Sequence, residues 1–209
     1  MKPIFITGTG TNVGKTIVAA IITEALKADY WKPVQAGFEN GTDSLIIKDL
    51  LSNNCSVVHP ETYMLSLPAS PHLAAAAENQ KIKIGQILKQ MPLTKKRLVI
   101  EGAGGLLVPL NKKRYVADLI ERMNAKVVIV SKNELGSINH SLLTAYVLKQ
   151  KKIKVAGWIF TGTFMDYEEE IADRTGYPII ASIPELPFIT REIVQTIAAN
   201  LLPKIEKFL

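Results

Sequence analysis

Short apolar, β-rich runs alternate along this chain with longer segments of helical period. The strand-type runs are Pro3–Thr7, Tyr30–Val34, Leu98–Glu101, Lys126–Ser131, Val155–Phe160 and Ile179–Ile183. Val127-Val128-Ile129-Val130 shows no polar alternation, so that strand is expected to be buried on both faces. Between the strands, the spacing predicts helices over Lys15–Lys27, Asp43–Leu51, Ile82–Met91, Val116–Met123, Ile138–Gln150, Tyr167–Thr175 and Thr190–Phe208, with Pro203 as a candidate break in the last. Ser137 is a candidate N-cap for the helix after it, whose apolar face would be Leu142, Leu143, Ala145, Tyr146 and Leu148. Strand–helix alternation requires crossover connections. It predicts an α/β fold with a mainly parallel central sheet covered by helices on both faces. Ligands bind such sheets at the carboxyl ends of the strands. No repeat, low-complexity tract or long linker interrupts the pattern, and residues 1–209 are expected to form a single domain.

Composition agrees and narrows the choice. A chain of 209 residues, 47% of them hydrophobic, can bury a sizeable core. No apolar run approaches the roughly 20 residues of a membrane span. The apolar stretch after Lys2 is too short for a signal peptide, so no membrane and a cytoplasmic setting are expected. Cys55, the single cysteine, lies in a polar stretch and cannot form an internal disulfide. His59, His72 and His140 lack metal-ligand spacing. The net charge is +6, with basic clusters at Lys95-Lys96-Arg97, Lys112-Lys113-Arg114 and Lys149 to Lys154. They fall at predicted turns and helix ends without interleaved aromatics, so no nucleic-acid partner is expected. A basic balance also suits a site that collects anions.

The sharpest chemical signal is Gly8-Thr9-Gly10-Thr11-Asn12-Val13-Gly14-Lys15-Thr16, between the first strand and the first helix. A glycine-rich turn leaves backbone N–H groups free, and a helix N-terminus adds roughly half a positive charge. Lys15 adds a full charge, and the Thr16 hydroxyl can ligate Mg2+. This is the setting of a nucleoside triphosphate. Five residues separate Gly8 from Gly14, one more than the common P-loop spacing.

Three more residues fall at the ligand edge of the sheet. Lys32 follows the second strand and precedes a Pro33–Gly37 turn, from which it can reach over the P-loop. Asp43, after Gly41-Thr42, is an N-cap or a Mg2+ ligand. Glu101 ends an apolar strand and is followed by Gly102-Ala103-Gly104-Gly105, a Walker-B-like arrangement with Glu in place of Asp. Thr16, Asp43 and Glu101 make an oxygen set suited to Mg2+, with phosphate and water oxygens completing an octahedron. Lys15 and Lys32 make a cationic pair for an in-line phosphoryl transfer. No general base or nucleophile accompanies these motifs, so the attacking group is expected to come from the substrate.

Taken together, these stretches resemble the dethiobiotin synthetase family. The matching segments are Thr-Gly-Thr-Gly-Thr-Asn-Val-Gly-Lys-Thr (7–16), Lys-Pro-Val-Gln-Ala-Gly (32–37), Pro-Ala-Ser-Pro-His-Leu-Ala (68–74), Glu-Gly-Ala-Gly-Gly (101–105), Leu-Gly-Ser-Ile-Asn-His (135–140), Ala-Gly-Trp (156–158) and Ile-Pro-Glu-Leu (183–186). They come in the family's order, and the longer P-loop gap is the family's own. The resemblance implies an ATP- and Mg2+-dependent cyclo-ligase of biotin synthesis acting on 7,8-diaminononanoate and CO2. It implies that Asn12, Val13, Gly14, Lys15, Thr16 and Ile17 hold the phosphates, and that Thr16, Asp43 and Glu101 hold the metal. Lys32, Lys15 and Thr11 would act at the carbamate and the transferring phosphoryl group. Thr11, Ala36, Glu101 and Gly104 would border the diamine, with Ser70 and Pro71 lining its cavity. Thr161, Pro184, Glu185 and Leu186 would border the base and ribose. The family is a homodimer, and Leu135, Gly136, Ser137 and Asn139 of one subunit would hold the carboxylate bound in the other.

Three positions depart from the family's pattern. Asn12 stands where some members have Glu, Ala36 where a hydroxyl is usual, and Thr161 where an Asn can read adenine. One hydroxyl cannot make the bidentate contact of an amide, so relaxed adenine discrimination is expected. Two rival readings fit less well. A partitioning or septum-positioning ATPase would carry an extra lysine early in its P-loop, and residues 9–13 hold none. A glutamine-dependent amidating synthetase would need an added glutaminase domain with a catalytic cysteine.

Overall fold

A computed structural model describes residues 1–39 and 41–209. β1 (Ile4–Gly8) leads through the P-loop into α1 (Lys15–Leu26). β2 (Asp29–Trp31), β3 (Val34–Ala36), α2 (Asp43–Leu50), β4 (Val58–His59), β5 (Tyr63–Leu65), α3 (Pro71–Ala77) and α4 (Ile84–Lys89) follow. β6 (Leu98–Gly105) precedes a small hairpin, β7 (Pro109–Asn111) and β8 (Arg114–Tyr115). Then come α5 (Val116–Met123), β9 (Lys126–Lys132), α6 (Ser137–Gln150), β10 (Val155–Thr161), α7 (Glu168–Thr175), β11 (Ile179–Ile183) and α8 (Arg191–Phe208).

Seven strands form the main sheet in the order β11-β10-β9-β1-β6-β2-β4, and every neighbouring pair is parallel. One face packs against α1, α2 and α8 through Val18, Ile22, Ile47, Val194 and Ile205. The other packs against α3 to α7 through Ala74, Ile87, Leu119, Leu148 and Ile171. Val127 to Val130, at the centre of β9, are all inaccessible. Full burial of each such side chain stabilises the fold by about 2 kcal/mol, which explains why the run has no polar face. The α/β sheet with helices on both faces is the architecture that the apolar pattern predicts.

Local boundaries differ for identifiable reasons. The expected strand over Tyr30–Val34 is two strands in two sheets. β2 pairs with β6, whereas β3 pairs with β5 in a separate parallel pair. Pro33 has no N–H to continue a ladder and marks the switch. β6 continues past Glu101 to Gly105. Thr42, not Asp43, caps α2: its hydroxyl accepts the Leu45 N–H at 3.2 Å. Gly136, with φ 94°, caps α6, so Ser137 is the first helical residue. α4 keeps only the middle of the expected Ile82–Met91 helix. Pro203 lies inside a continuous α8. The carbonyl it leaves unpaired belongs to Ala199, which is exposed. Of the expected apolar face of α6, Leu143 and Tyr146 are 57% and 63% exposed, whereas Ala145 and Leu148 pack into the core. Ser141 and Thr144 are buried beside Ala145 and Leu148.

Candidate active site

The carboxyl ends of β1, β2 and β6 and the starts of α1 and α2 surround a cavity of about 1360 Å³. The P-loop forms its floor. Gly8 is required there, because a Cβ would meet Val13 Cγ2 at 2.6 Å and the Gly10 carbonyl at 2.9 Å. This contact accounts for the early glycine. Gly14 adopts φ 87°, which favours a residue without a side chain. Asn12, at φ 59°, is of the type that tolerates the left-handed region. The Thr9 N–H donates to the Val130 carbonyl at 3.0 Å, tying the loop to β9.

Lys15 is 7% exposed, and its ammonium donates to the Gly10 carbonyl at 2.7 Å. Burial pushes its pKa down to about 8; Glu101 and Asp43 oppose the push, and Lys32 adds to it. Lys32 and Lys15 therefore sense each other across one cavity. The Lys32 ammonium, 6% exposed, donates to Glu101 Oε1 at 3.0 Å and also pairs with Asp43 Oδ2. Burial alone would weaken its hold on the proton, but the Glu101 and Asp43 carboxylates outweigh that and raise its pKa. The Thr16 hydroxyl lies 3.1 Å from Asp43 Oδ1 and 3.0 Å from Glu101 Oε1. Lys32, two carboxylates and one hydroxyl thus meet at one point, and Lys15 lines the same cavity. The formal charges of the four ionic groups cancel.

These residues arrive there by strand register. Ile6 of β1 and Glu101 of β6 are paired, as are Trp31 of β2 and Ile100 of β6. Lys32, one step beyond β2, therefore comes level with Glu101. Asp43 is the first residue of α2, and its N–H donates to Gln35 Oε1 at 3.3 Å. Gln35 is 7% exposed and also donates to the Gly37 carbonyl at 2.8 Å, bracing the turn that carries Asp43.

Thr11, Asn12, Gly14, Ile17, Ala36, Ser70, Pro71 and Gly104 line the same cavity as Lys15, Thr16, Lys32, Asp43 and Glu101. Val13 does not line it; its carbonyl accepts the Thr161 hydroxyl at 3.0 Å. Thr161 ends β10 behind Gly14, where a Cβ would meet its Cγ2 at 3.1 Å. Pro184, Glu185 and Leu186 follow β11, beside Thr161: Gly162 donates to the Ile183 carbonyl at 3.0 Å. Neither group lines the main cavity. Leu135, Gly136 and Asn139 are exposed at the start of α6, outside that cavity. Ser137 is 2% exposed, so its hydroxyl is not presented to solvent, and its N–H is occupied by the Glu134 carbonyl at 3.0 Å. Helix geometry leaves the next two N–H groups, of Ile138 and Asn139, without helical partners.

Two features lie outside what the sequence pattern shows. The cavity continues as an apolar trough between Leu106–Pro109 and the α6 residues Leu143, Thr144 and Val147. The Tyr30 hydroxyl donates to Glu101 Oε2 at 2.8 Å; burial first, then Glu101, raise its pKa well above the ordinary value. The trough carries no motif. Tyr30, two residues before Lys32, is legible in the sequence only as a strand residue.

The donor set suits a small, hard cation. It offers a hydroxyl within hydrogen-bond distance of two carboxylates, and phosphate oxygens would complete the shell. Asp43 and Glu101 alone make no cluster of three acidic, histidine or cysteine ligands, and none exists among the described residues.

A family model described as an AAA domain matches residues 2–193. Among solved structures, the cell division ATPase MinD of Pyrococcus furiosus superposes over the whole of both chains with a TM-score of 0.67 at 17% identity. Septum site-determining MinD of Pyrococcus horikoshii, complexed with Mg-ADP, gives 0.63 at 17% over 98% of this chain and 94% of its own. That level of identity shows a shared fold and nothing about partners. Sequence relatives are much nearer. The ATP-dependent dethiobiotin synthetase of Cytophaga hutchinsonii is 48% identical over 96% of this chain and 97% of its own. That of Christiangramia forsetii is 46% identical over 94% of each. Similarity of this degree along nearly the full length, with the P-loop and its surrounding charges intact, places this chain in the ATP-dependent dethiobiotin synthetase family of P-loop enzymes.

Proposed function

We propose that this chain closes the ureido ring of dethiobiotin from 7,8-diaminononanoate, CO2 and ATP, as a step of biotin biosynthesis. Family membership supports the reaction. The observation that carries the assignment to particular residues is the meeting of Lys32 with Glu101, Asp43 and Thr16 beside the P-loop lysine. In this reading residues 1–209 work as one P-loop domain.

The chemistry has three steps. One amine of the substrate adds to CO2 and loses a proton, giving a carbamate. A carbamate oxygen attacks the γ-phosphorus of ATP and displaces ADP, forming a carbamic–phosphoric anhydride. The second amine attacks the carbamoyl carbon, loses a proton, and expels phosphate as the ring closes. A carbamate is already an anion, so the protein needs no base to activate it. Its work is positioning and charge stabilisation.

Each part of the site has a role in that scheme. The P-loop N–H groups, the α1 N-terminus and Lys15 hold the phosphates, with Asn12 to Ile17 around them. The Thr16 hydroxyl and the Asp43 and Glu101 carboxylates would hold Mg2+, which when bound neutralises charge on the β- and γ-phosphates. Lys32 faces the carbamate and the moving phosphoryl group, with Thr11 bordering the same space. Ala36, Ser70, Pro71 and Gly104 border the diamine, whose methylene chain suits the apolar trough along Leu106–Pro109. Thr161 and Pro184 to Leu186 face the base. With its one donor engaged by Val13, Thr161 reads adenine weakly.

The protein acts as a homodimer in the cytoplasm. Leu135, Leu143 and Tyr146 form an exposed apolar group along α6, which a second subunit would cover. The substrate carboxylate is held by the α6 start of the partner, through the free N–H groups there and the exposed Asn139 side chain. Ser137 stands at the same turn, with a buried hydroxyl that has no hydrogen-bond partner within the chain among the described residues. No helix among the described residues is long and apolar enough to cross a membrane. Nucleic acid has no part in this reading.

The test is direct. Purified protein is given ATP, Mg2+, diamine and 13C-bicarbonate. Dethiobiotin labelled at the ureido carbonyl, formed with one phosphate per ring, is the expected result. Phosphate release that ignores the diamine but responds to DNA or lipid vesicles would overturn the assignment.

A further inference from the structure

The Tyr30 hydroxyl has no role in the scheme above, yet it is bonded to one of the central carboxylates. Tyr30 pairs with Val99 across β2 and β6, so its side chain stands on the same face as Val99 and Glu101. Two strand residues rise by roughly 6.7 Å, a step that a phenol lying along the sheet can cover. Its hydroxyl meets Glu101 Oε2 at 2.8 Å. Tyr30 is inaccessible and Glu101 is 1% exposed, so water cannot substitute for this bond. The other oxygen, Oε1, faces Thr16 and Lys32, each at 3.0 Å. One carboxylate thus has two oxygens with separate duties.

We infer that Tyr30 is a positioning residue that occupies one oxygen of Glu101, reserves the other for the divalent cation, and so favours Mg2+ over Ca2+. This rests on the reading that Thr16, Asp43 and Glu101 hold the metal. Mg2+ takes single oxygens in a tight octahedron, whereas the larger Ca2+ readily accepts both oxygens of a carboxylate. Holding Oε2 on a tyrosine removes the bidentate option. Tyr30→Phe restores it while keeping the ring that fills the core.

The experiment measures Mn2+ bound to the ADP-loaded protein by electron paramagnetic resonance, with Mg2+ and Ca2+ as competitors. The unaltered protein should favour Mg2+. Tyr30→Phe should shift the Mg2+/Ca2+ competition ratio toward Ca2+ by about tenfold, the worth of one hydrogen bond to a charged group. A purely structural role would lower the metal-free melting temperature and weaken both ions together, leaving their ratio unchanged; that result overturns the proposal. Glu101→Gln separates the two readings. If it leaves Mn2+ binding intact, the metal assignment fails, and the role of Tyr30 fails with it. If it abolishes Mn2+ binding while Tyr30→Phe keeps the normal ratio, only the role of Tyr30 is lost. Should Tyr30→Phe not fold, Tyr30→Met fills the same space without an oxygen and is read in the same way.

Discussion

Replacing Lys32 by Met takes the one ammonium out from between Asp43 and Glu101 while keeping most of its length. The Lys32 and Glu101 side chains are 7% and 1% exposed, and that of Asp43 is 24% exposed. Removing one partner of a fully buried ion pair costs about 3–5 kcal/mol, because the remaining charge stays buried without compensation. Solvent screens Asp43 in part, so the lower end applies, about 3 kcal/mol. For a chain of this size that corresponds to a melting temperature lower by roughly 6–12 °C. Mg2+ and ADP should then stabilise the variant more than they stabilise the unaltered protein, because the metal supplies the missing positive charge. The assay is thermal unfolding of both proteins with and without Mg-ADP, beside turnover with the diamine. The expected pattern is a large loss without metal, a disproportionate recovery with it, and kcat reduced more than nucleotide affinity. A loss below about 1 kcal/mol, or one indifferent to Mg-ADP, would show that Lys32 does not balance these carboxylates.

Other outcomes follow from the same geometry. Lys15 holds its proton less tightly in the folded protein, with a pKa of about 8 against the ordinary 10.5, so its stability contribution improves as pH rises through that window. The stability of the unaltered protein relative to Lys15→Met should therefore rise between those pH values; a flat difference contradicts the shift. Nucleotide phosphates should restore the charge of Lys15, so ADP binding at pH 8 should take up about half a proton, seen by calorimetry in two buffers of different ionisation enthalpy. Asn139→Ala should raise the KM for the diamine by about tenfold with nucleotide affinity unchanged, and an unmoved KM removes Asn139 from the site. At diamine concentrations well below the raised KM, mixing Asn139→Ala subunits with Lys15→Met subunits should give more activity than the two variants give separately, because mixed dimers contain one intact site. Triphosphates other than ATP should be used within about 100-fold in kcat/KM, and a preference above about 10,000-fold would show that adenine is read by a group other than Thr161.

Much of this site is readable from residue order because parallel sheets send their loops to one edge. The apolar run Val127–Val130 marks an interior strand of the sheet, the P-loop and Lys32 each follow a strand, and Glu101 lies within β6. Register then brings them together. What the pattern does not supply is non-local. Tyr30 and Glu101 are 71 positions apart, and no local period announces their bond. β4 and β5 are two and three residues long, too short to show alternation. The β7–β8 hairpin is equally brief. The helix at Pro71–Ala77 does carry a signal, since Ser70-Pro71 before an alanine run is a helix start. Leu143 and Tyr146 show a different limit: hydrophobicity along α6 does not distinguish a face turned to the core from one left exposed. Ser137 shows a third, because glycine at 136 takes the left-handed turn and moves the cap one residue earlier.

The central claim is that a carbamate oxygen attacks the γ-phosphorus beside Lys15 and Lys32. Bicarbonate and CO2 uniformly labelled with 18O, supplied with unlabelled ATP and diamine, test it in one turnover. The claim predicts one 18O atom in the phosphate released with each ring, because the carbamate oxygen leaves bound to phosphorus. Phosphate free of label, with ring closure intact, would contradict it.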